Sequence, residues 1–569
     1  MHIDIVPNRK STPAILLRES FREGQHVRKR TVANLSFLTL PQAEAMRRVL
    51  KGDTLVSTDD LFEKVRDEVH GSVDAVGRAM RRLGFASLLD SRSSRERDLV
   101  LAMVTARIVE PDSKLGTVRW WSTTTLASDL TLGVDDVEDE AYEAMDWLFA
   151  RQSSIEKKLA KRHLKDGAHA LYDLSSSYFE GSTCPLAKRG YSRDGKRGTL
   201  QVNYGLLTNR RGCPVAISVF PGNTADSTTF VPEVQRVQKE FGLSHVVAVG
   251  DRGMVSGKQI TQLDTMEGVE WITALRSESI RTLVTSGALQ LGLFDKRNLL
   301  AIEHPDFEGE RLLACKNEEL ARLRAYKRES LLASTEADLE KIRTRVANAK
   351  LAGKAKIGVA VGKVVNKYKV AKHFVLAIED ANVSFSRDEN AIAEEAALDG
   401  VYVIRTSLEK SQADDAEAVR AYKDLANVER AFRTMKTMSL KVRPIYHRLE
   451  DRVRAHIFLC MLAYYVEWHM REAWRPILFS DEEQDRKRAR DPVAPAVRSH
   501  AALEKVHSRR LQDETVVHSF STLLRELGTI TRSTMRRRDA AAKEPVFTMI
   551  TKPSPLHQRA FDLLADIHL

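Results

Sequence analysis

Three carboxylates stand where their chemistry needs explaining. Asp173 lies inside the apolar run "ALYDLSSSYF", where a carboxylate is costly unless it is paired, hydrogen-bonded or bound to a metal. Asp251 ends a second run, "HVVAVGDRGM", where "RGM" turns the chain towards a helix. Functional groups of α/β sheets collect at such strand ends. Glu429 lies in "YKDLANVERAFRTMK", with Tyr422 seven residues before it and Lys436 seven after. At about 3.6 residues per turn these three share one helical stripe, which Arg433 joins. Each acid also has a plain reading: Asp173 pairs with a core arginine, Asp251 caps the following helix, and Glu429 pairs with Arg433 on a solvated face.

The elements that must position these groups can be read from the pattern. Residues 168–181, 200–209, 214–223, 245–254 and 270–276 read as five strands. Turn material separates the first three, which suits an antiparallel meander. Amphipathic helices, "STTFVPEVQRVQKEFG" and "SGKQITQLDTM", separate the later ones, as in parallel pairs. Three meandering strands followed by helix, strand, helix and strand is the order of a ribonuclease H-like fold. In such a sheet the first and fourth strands are neighbours. Asp173 and Asp251 then point into one site, and an acid from a helix crossing the sheet, Glu429, completes an oxygen cage. Such a cage suits two Mg²⁺ or Mn²⁺ ions about 4 Å apart, an arrangement that serves in-line phosphoryl displacement.

The fold class expected is α/β, an RNase H-like mixed-sheet catalytic core interrupted by an insertion, with mainly helical N-terminal and C-terminal regions. The parts are a β-hairpin region at 1–55, a helical DNA-binding region at 56–166, the core at 167–280, an insertion at 281–398, the resumed core at 399–478 and a C-terminal DNA-binding or dimerisation region at 479–569. In the first part, "AILLRESFREGQHVRKRTVANLSF" reads as a hairpin around Glu23-Gly24, with Arg18, Arg22, Arg28 and Arg30 on one face. That face is either a solvated surface or a contact to phosphates. "DDLFEKVRDEVHGSVDAVGRAMRRLGF" has room for a helix-turn-helix with Ser72 capping its second helix. "GVDDVEDEAYEAMDWLFARQ" reads as a solvated helix start. Within the insertion, "NEELARLRAYKRESLLASTEADLEKIRTRVANAK" reads as a long charged helix or helical hairpin. "KIGVAVGKVVNKYKVAKHFVLAIED" reads as strand-like and very basic. "TRSTMRRRDA" is a basic cluster, either a solvated loop or a contact to DNA backbone.

Composition narrows the partner. The 569 residues carry 89 Lys+Arg against 78 Asp+Glu, a net charge of +11, which favours a polyanion, nucleic acid ahead of a membrane surface. Four scattered cysteines form no CxxC pair, which argues against a zinc site or a disulfide framework. The start "MHIDIVPNRK" has no apolar h-region, and "IFLCMLAYYV" is half the length of a membrane span. A soluble, cytoplasmic, nucleoid-associated protein is expected. His447 and His456 read as packing or phosphate contacts, and Trp120 and Trp121 as core.

Several motifs resemble insertion-sequence DNA transposases of the Asp-Asp-Glu class, in the branch bearing a Tyr-Arg-Glu-Lys signature. Tyr422, Glu429 and Lys436 match that signature at its spacing, and Leu425 stands at its arginine position. "LYDLSSSYFEG", "PGNTADSTTF", "VGDRGM" and "RPIYHR" resemble the surroundings of the family's catalytic acids, and "RESFREGQHVRKR" its amino-terminal hairpin. The resemblance implies metal-dependent cleavage at the element's terminal inverted repeats, followed by attack of the freed 3′-hydroxyl on another phosphodiester. It implies metal binding by Asp173, Asp251 and Glu429, and phosphate contacts by Tyr422 and Lys436. Arg433 or Arg430 would stand in for the missing arginine, and Asn223 and Asp226 would either support the site or form a turn and a helix cap before Thr228. Double-stranded DNA and a homodimer on that DNA are the implied partners, with no membrane. An RNase H-like nuclease without strand transfer and an inactive DNA-binding regulator are the alternatives.

Overall fold

The computed structural model describes every residue except 10, 56–60, 134–136, 293, 438, 484–490, 496 and 539–545. The boundary expected at 56, Asp135 and Asp136 of the acidic stretch, and the end of the basic cluster at 539–540 lie outside the described residues. The chain divides into two units, Met1–Val69 with Ile530–Lys552, and His70–Thr529 with Pro553–Leu569.

In the first unit, strands His2–Val6, Ala14–Glu23 and His26–Asn34 form an antiparallel sheet. Ile3 and Ile15 pack with Ala43 of helix Leu40–Leu50. Gly24 takes φ +64° in the hairpin's two-residue turn, a conformation open to glycine. This turn pairs Glu23 with His26, so Arg18 and Arg22 oppose Thr31 and Val27, while Arg28 and Arg30 oppose Phe21 and Glu19. Opposed residues share a face and successive ones alternate. Arg18 and Arg22 therefore lie on one face and Arg28 and Arg30 on the other, which corrects the single arginine face expected from the sequence.

A second sheet in this unit pairs Phe62–Val69 with Thr531–Arg537, and the latter with Phe547–Ile550. Residues 62–69 are thus a strand where a helix was expected, and 531–537 a strand where a loop was. Glu, Lys and Arg in "FEKVRDEV" favour helix locally. Cross-strand partners override that preference: Arg536 pairs with Glu63 at 2.5 Å, Arg532 with Glu68 at 3.5 Å, and the Ser533 hydroxyl donates to Asp67 at 2.5 Å. The expected helix-turn-helix is not formed. Its second helix exists, at Gly71–Arg82 in the other unit, but Ser72 lies buried inside that helix and does not cap it.

The second unit is built on a mixed α/β sheet. In chain order the elements used below are β1 (Ala168–Tyr178), β2 (Leu200–Asn209), β3 (Pro214–Pro221), α1 (Phe230–Lys239), β4 (Val246–Val249), α2 (Gly257–Leu263), β5 (Val269–Ala274), β6 (Leu299–Ile302), β7 (Arg311–Lys316), α3 (Glu318–Ala347), α4 (Lys354–Tyr368), β8 (Val401–Thr406), α5 (Asp415–Lys423), α6 (Leu425–Lys436) and α7 (Glu450–Ala473). The strand order is β6-β7-β8-β5-β4-β1-β2, with β3 and a two-residue strand, Lys188–Arg189, also on β2. β1–β2 and β2–β3 are antiparallel, β1–β4 and β4–β5 parallel, and β8 returns antiparallel to β5. β6 and β7 extend the main sheet past residue 281, so the part standing off it begins at α3.

α7 is apolar on every side because it is buried on every side. It packs against β3 and against helices Arg95–Val109 and Val137–Ala150, and no helix of the described residues is long and apolar enough to cross a membrane. The segment from α3 onward has its own small core, in which Leu339, Ile342 and Val346 of α3 meet Ile357, Val361 and Val365 of α4. Of the segment 356–380, expected as strand, residues 356–368 are thus helical and Phe374–Ile378 is a strand. Valines at 359 and 361 imitate a strand's alternation, but the buried set recurs every fourth residue and faces a helix.

Candidate active site

β1 and β4 bring the two aspartates together by register. Leu171 pairs with Val249, and Asp173 and Asp251 each lie two residues further along these parallel strands. The same face of β1 is crossed by α6, whose Val428, Ala431, Phe432 and Met435 form its buried stripe. Phe432 meets the ring of Tyr204 in β2 at 5.7 Å, and Tyr204 shares a hydrogen bond of 2.8 Å with Ser177 of β1. Glu429 stands at the exposed edge of that stripe. On the opposite face Tyr172 packs on Phe230 of α1. Gly250 makes this packing possible, since a Cβ there would lie 2.4 Å from the Phe230 ring.

The electrostatics tie the three acids into one site. Burial pushes the Asp173 carboxyl up to about 7; the Leu174 N–H (2.8 Å) and Arg193 oppose this, and the charges of Asp251 and Glu429 add to it. Asp251 and Glu429 are exposed. Three acids that repel one another, with oxygen donors and an open side, fit hard divalent cations. Their ligand oxygens do not all lie within 4.8 Å of one another. The cluster that does close to 4.8 Å among the described residues is His163, Cys213 and His469. Burial holds these histidines near 4 and near 3 and raises the Cys213 thiol, while Arg162 and Arg211 add positive charge, so the group behaves as neutral core. His456 is likewise buried and His447 half-buried, with their rings 5.1 Å apart, and desolvation lowers His447 to about 3.

The helix carrying Glu429 is shorter than the sequence suggests. α5 ends at Lys423 and α6 begins at Leu425, so Tyr422 and Glu429 do not share one continuous helix. Arg210, from the β2–β3 turn, pairs with Glu417 of α5 and with Asp424 at the break, and the Arg210 carbonyl accepts from Asn427 at 2.9 Å. Tyr422 still reaches the site, donating its hydroxyl to Asp251 at 3.1 Å. Burial and the Asp251 charge raise its phenol well above the usual value, so it stays a donor. Tyr422→Phe keeps the ring and loses one hydrogen bond to a charged group, so cleavage is expected to slow about tenfold with melting unchanged. A turnover assay and a thermal melt on the same sample check this.

Lys436 is engaged. Its ammonium meets Asp194 at 3.2 Å, and Arg443 meets the same carboxylate at 2.5 Å. The Asp194 side chain is 1% exposed and also accepts from the Tyr178 N–H at 3.1 Å. Leu425, at the arginine position of the signature, is buried, whereas Arg430 and Arg433 are exposed. Asp226 pairs with Arg193 at 2.5 Å, and Asn223 stands exposed in the turn after β3. Arg193 and Asp194 are the residues that reading the sequence missed. Their loop, "RGYSRDGKRG", is held by a contact with no room for side chains: a Cβ on Gly190 would lie 1.9 Å from the Gly222 carbonyl oxygen. An adjacent Arg-Asp pair in a glycine-flanked loop was the available signal.

Residues 171–466, just over half the chain, match the family model described as the transposase DDE domain. Residues 3–60 match that of the IS1634 family transposase, N-terminal domain. Among solved structures, a piggyBac transposase synaptic complex with hairpin DNA is similar at 10% identity, over 80% of this chain and 82% of that one, with a TM-score of 0.33. A Mos1 transposase paired-end complex with the left transposon end is similar at 12% identity, over 43% and 75%, with a TM-score of 0.14. No curated protein matches.

Proposed function

Since the chain belongs to the DDE transposase family and carries the N-terminal domain of insertion-sequence transposases, we propose that it binds the terminal inverted repeats of its element as double-stranded DNA and catalyses strand cleavage and strand transfer. The observation that carries this reading is the shared register of Asp173 and Asp251 beneath the helix bearing Glu429. The order β3-β2-β1-β4-β5, antiparallel through the first three and parallel after, supports an RNase H-like core. Asp173, Asp251 and Glu429 would hold two Mg²⁺ or Mn²⁺ ions. Such ions supply Lewis-acid activation of the attacking oxygen and neutralise charge on the leaving one.

The chain's own residues have distinct parts in this reading. The Tyr422 hydroxyl orients Asp251. Arg193, beside Asp173 and fastened by Asp226, offsets part of the negative charge that gathers there. Lys436 anchors the Asp194 loop, and burial beside that carboxylate limits its reach to a phosphate. Arg433 and Arg430, exposed beside Glu429, the latter donating to the Asn427 side chain at 3.2 Å, are the candidates for the part of the missing arginine. Arg18, Arg28 and Arg30 of the hairpin are paired with Asp4, Glu23 and Glu19, so with Arg22 they would contact phosphates by exchanging those carboxylates. Two ends processed together call for a homodimer on DNA. Incubating the full chain with a labelled element end tests the reading: nicks at the end with Mg²⁺ or Mn²⁺, and none with chelator, are expected. Binding without nicking in either metal would reduce the protein to a DNA-binding regulator, and nicking without joining to a nuclease.

A further inference from the structure

The positive charge of this chain is concentrated in one place. Residues 341–373 hold ten lysines and arginines and no carboxylate. The whole chain has 89 − 78 = +11, and without this segment 79 − 78 = +1 remains. Those 33 residues run from the last turns of α3 through α4 in the part that stands off the main sheet. Here the two helices leave an open groove of about 380 Å³, bordered by Lys341 and Arg345 of α3 and by Lys356 and Lys363 of α4. Its one acid, Asp338, is occupied by Lys341 at 2.8 Å, Lys367 at 3.0 Å and the Tyr368 hydroxyl at 2.9 Å. Arg345, Lys356 and Lys363 have no acidic partner among the described residues. Between the two α4 lysines Val359 is 61% exposed, so the cations stand as two rows beside an apolar strip.

Helical rows of cations, three of the four without an acidic partner among the described residues, are not needed by the packing of this separately cored part, because the core there is the leucine, isoleucine and valine set on the inner faces. We propose that the α3–α4 groove is a second DNA-binding site, which grips the phosphate backbone of double-helical DNA outside the cut position, without reading sequence. Lysine-dominated contact with no hydrogen-bonding amide in the groove favours backbone over base edges. The proposal rests on the transposase reading for the identity of its polyanion, and its own measurement does not depend on cleavage.

The probe is a random-sequence duplex titrated with the full chain over a range of salt. Each phosphate neutralised contributes about 0.9 to the slope of log affinity against log salt. Arg345→Gln with Lys356→Gln and Lys363→Gln is therefore expected to lower that slope by about 2–3 and to weaken binding about tenfold or more at low salt. The charge-keeping triple, Arg345→Lys with Lys356→Arg and Lys363→Arg, should bind as the unaltered protein does. All three side chains are exposed, so an unchanged melting temperature accompanies the expected result. A neutral triple with the original slope and affinity overturns the inference, even where element ends are cleaved normally. So does a groove that prefers single-stranded RNA or anionic vesicles to duplex DNA. A lost slope in a protein that never nicks ends would keep the groove and remove the transposase reading instead.

Discussion

Glu429→Gln is expected to lower end cleavage by about 10³-fold or more while end binding persists, the pattern for loss of a group that acts in the chemical step. Glutamine keeps the size and shape of the side chain. Glu429 is exposed at the edge of α6, and the stripe that docks this helix, Val428, Ala431, Phe432 and Met435, is untouched. The change is therefore confined to charge: a neutral amide neither neutralises a hard cation nor adds to the repulsion that Asp173 feels from Glu429. Single-turnover cleavage of a labelled end, beside a gel-shift titration, reads the two effects separately. A variant that cleaves within about tenfold of the unaltered protein removes Glu429 from the proposed set.

The second large effect is on stability and cleavage together. Burial, aided by the charges of Asp251 and Glu429, raises the Asp173 carboxyl from its ordinary 3.8 to about 7 in the folded protein. Between those values the folded state holds a proton that the unfolded chain has released. Stability therefore falls as pH rises from about 4 through about 7, and the full cost is carried above that. Asp173→Asn removes the titration. Without metal, the variant should melt higher than the unaltered protein at pH 8, by about 2 °C for a chain of this size, and the gap should close near pH 4. Mg²⁺ or Mn²⁺ should stabilise the unaltered protein and leave the variant's melting nearly unchanged, while cleavage by the variant is lost. Equal melting of the two proteins across this pH range would mean that Asp173 sits in no strained site.

Both effects concern residues legible in one dimension. The acid within "ALYDLSSSYF" and the acid closing "HVVAVGD" stood out because carboxylates interrupt apolar runs that are otherwise continuous, and β1 and β4 are those runs. The five strands and the helices α1 and α2 announced themselves by period and by turn residues. Where readings failed, a distant partner decided. Phe62–Val69 is a strand because Thr531–Arg537 lies beside it with arginines for its glutamates. Lys354–Tyr368 is a helix because α3 offers a matching stripe. The hairpin arginines divide between two faces because a turn of two residues sets the register.

Sequence alone determined that this chain carries three acids in strand and helix contexts suited to one oxygen-lined site, because local burial and periodicity are written in neighbouring residues. Only the tertiary structure decided what surrounds them. Arg210 pairs with Asp424 at the helix break, Tyr422 reaches Asp251 from the far side of that break, and Asp194 claims the lysine two turns beyond Glu429. These are pairings between residues far apart in the chain. A side chain's charge fixes which partners it can take, but the packing of β1, β2 and α6 fixes which of them it meets.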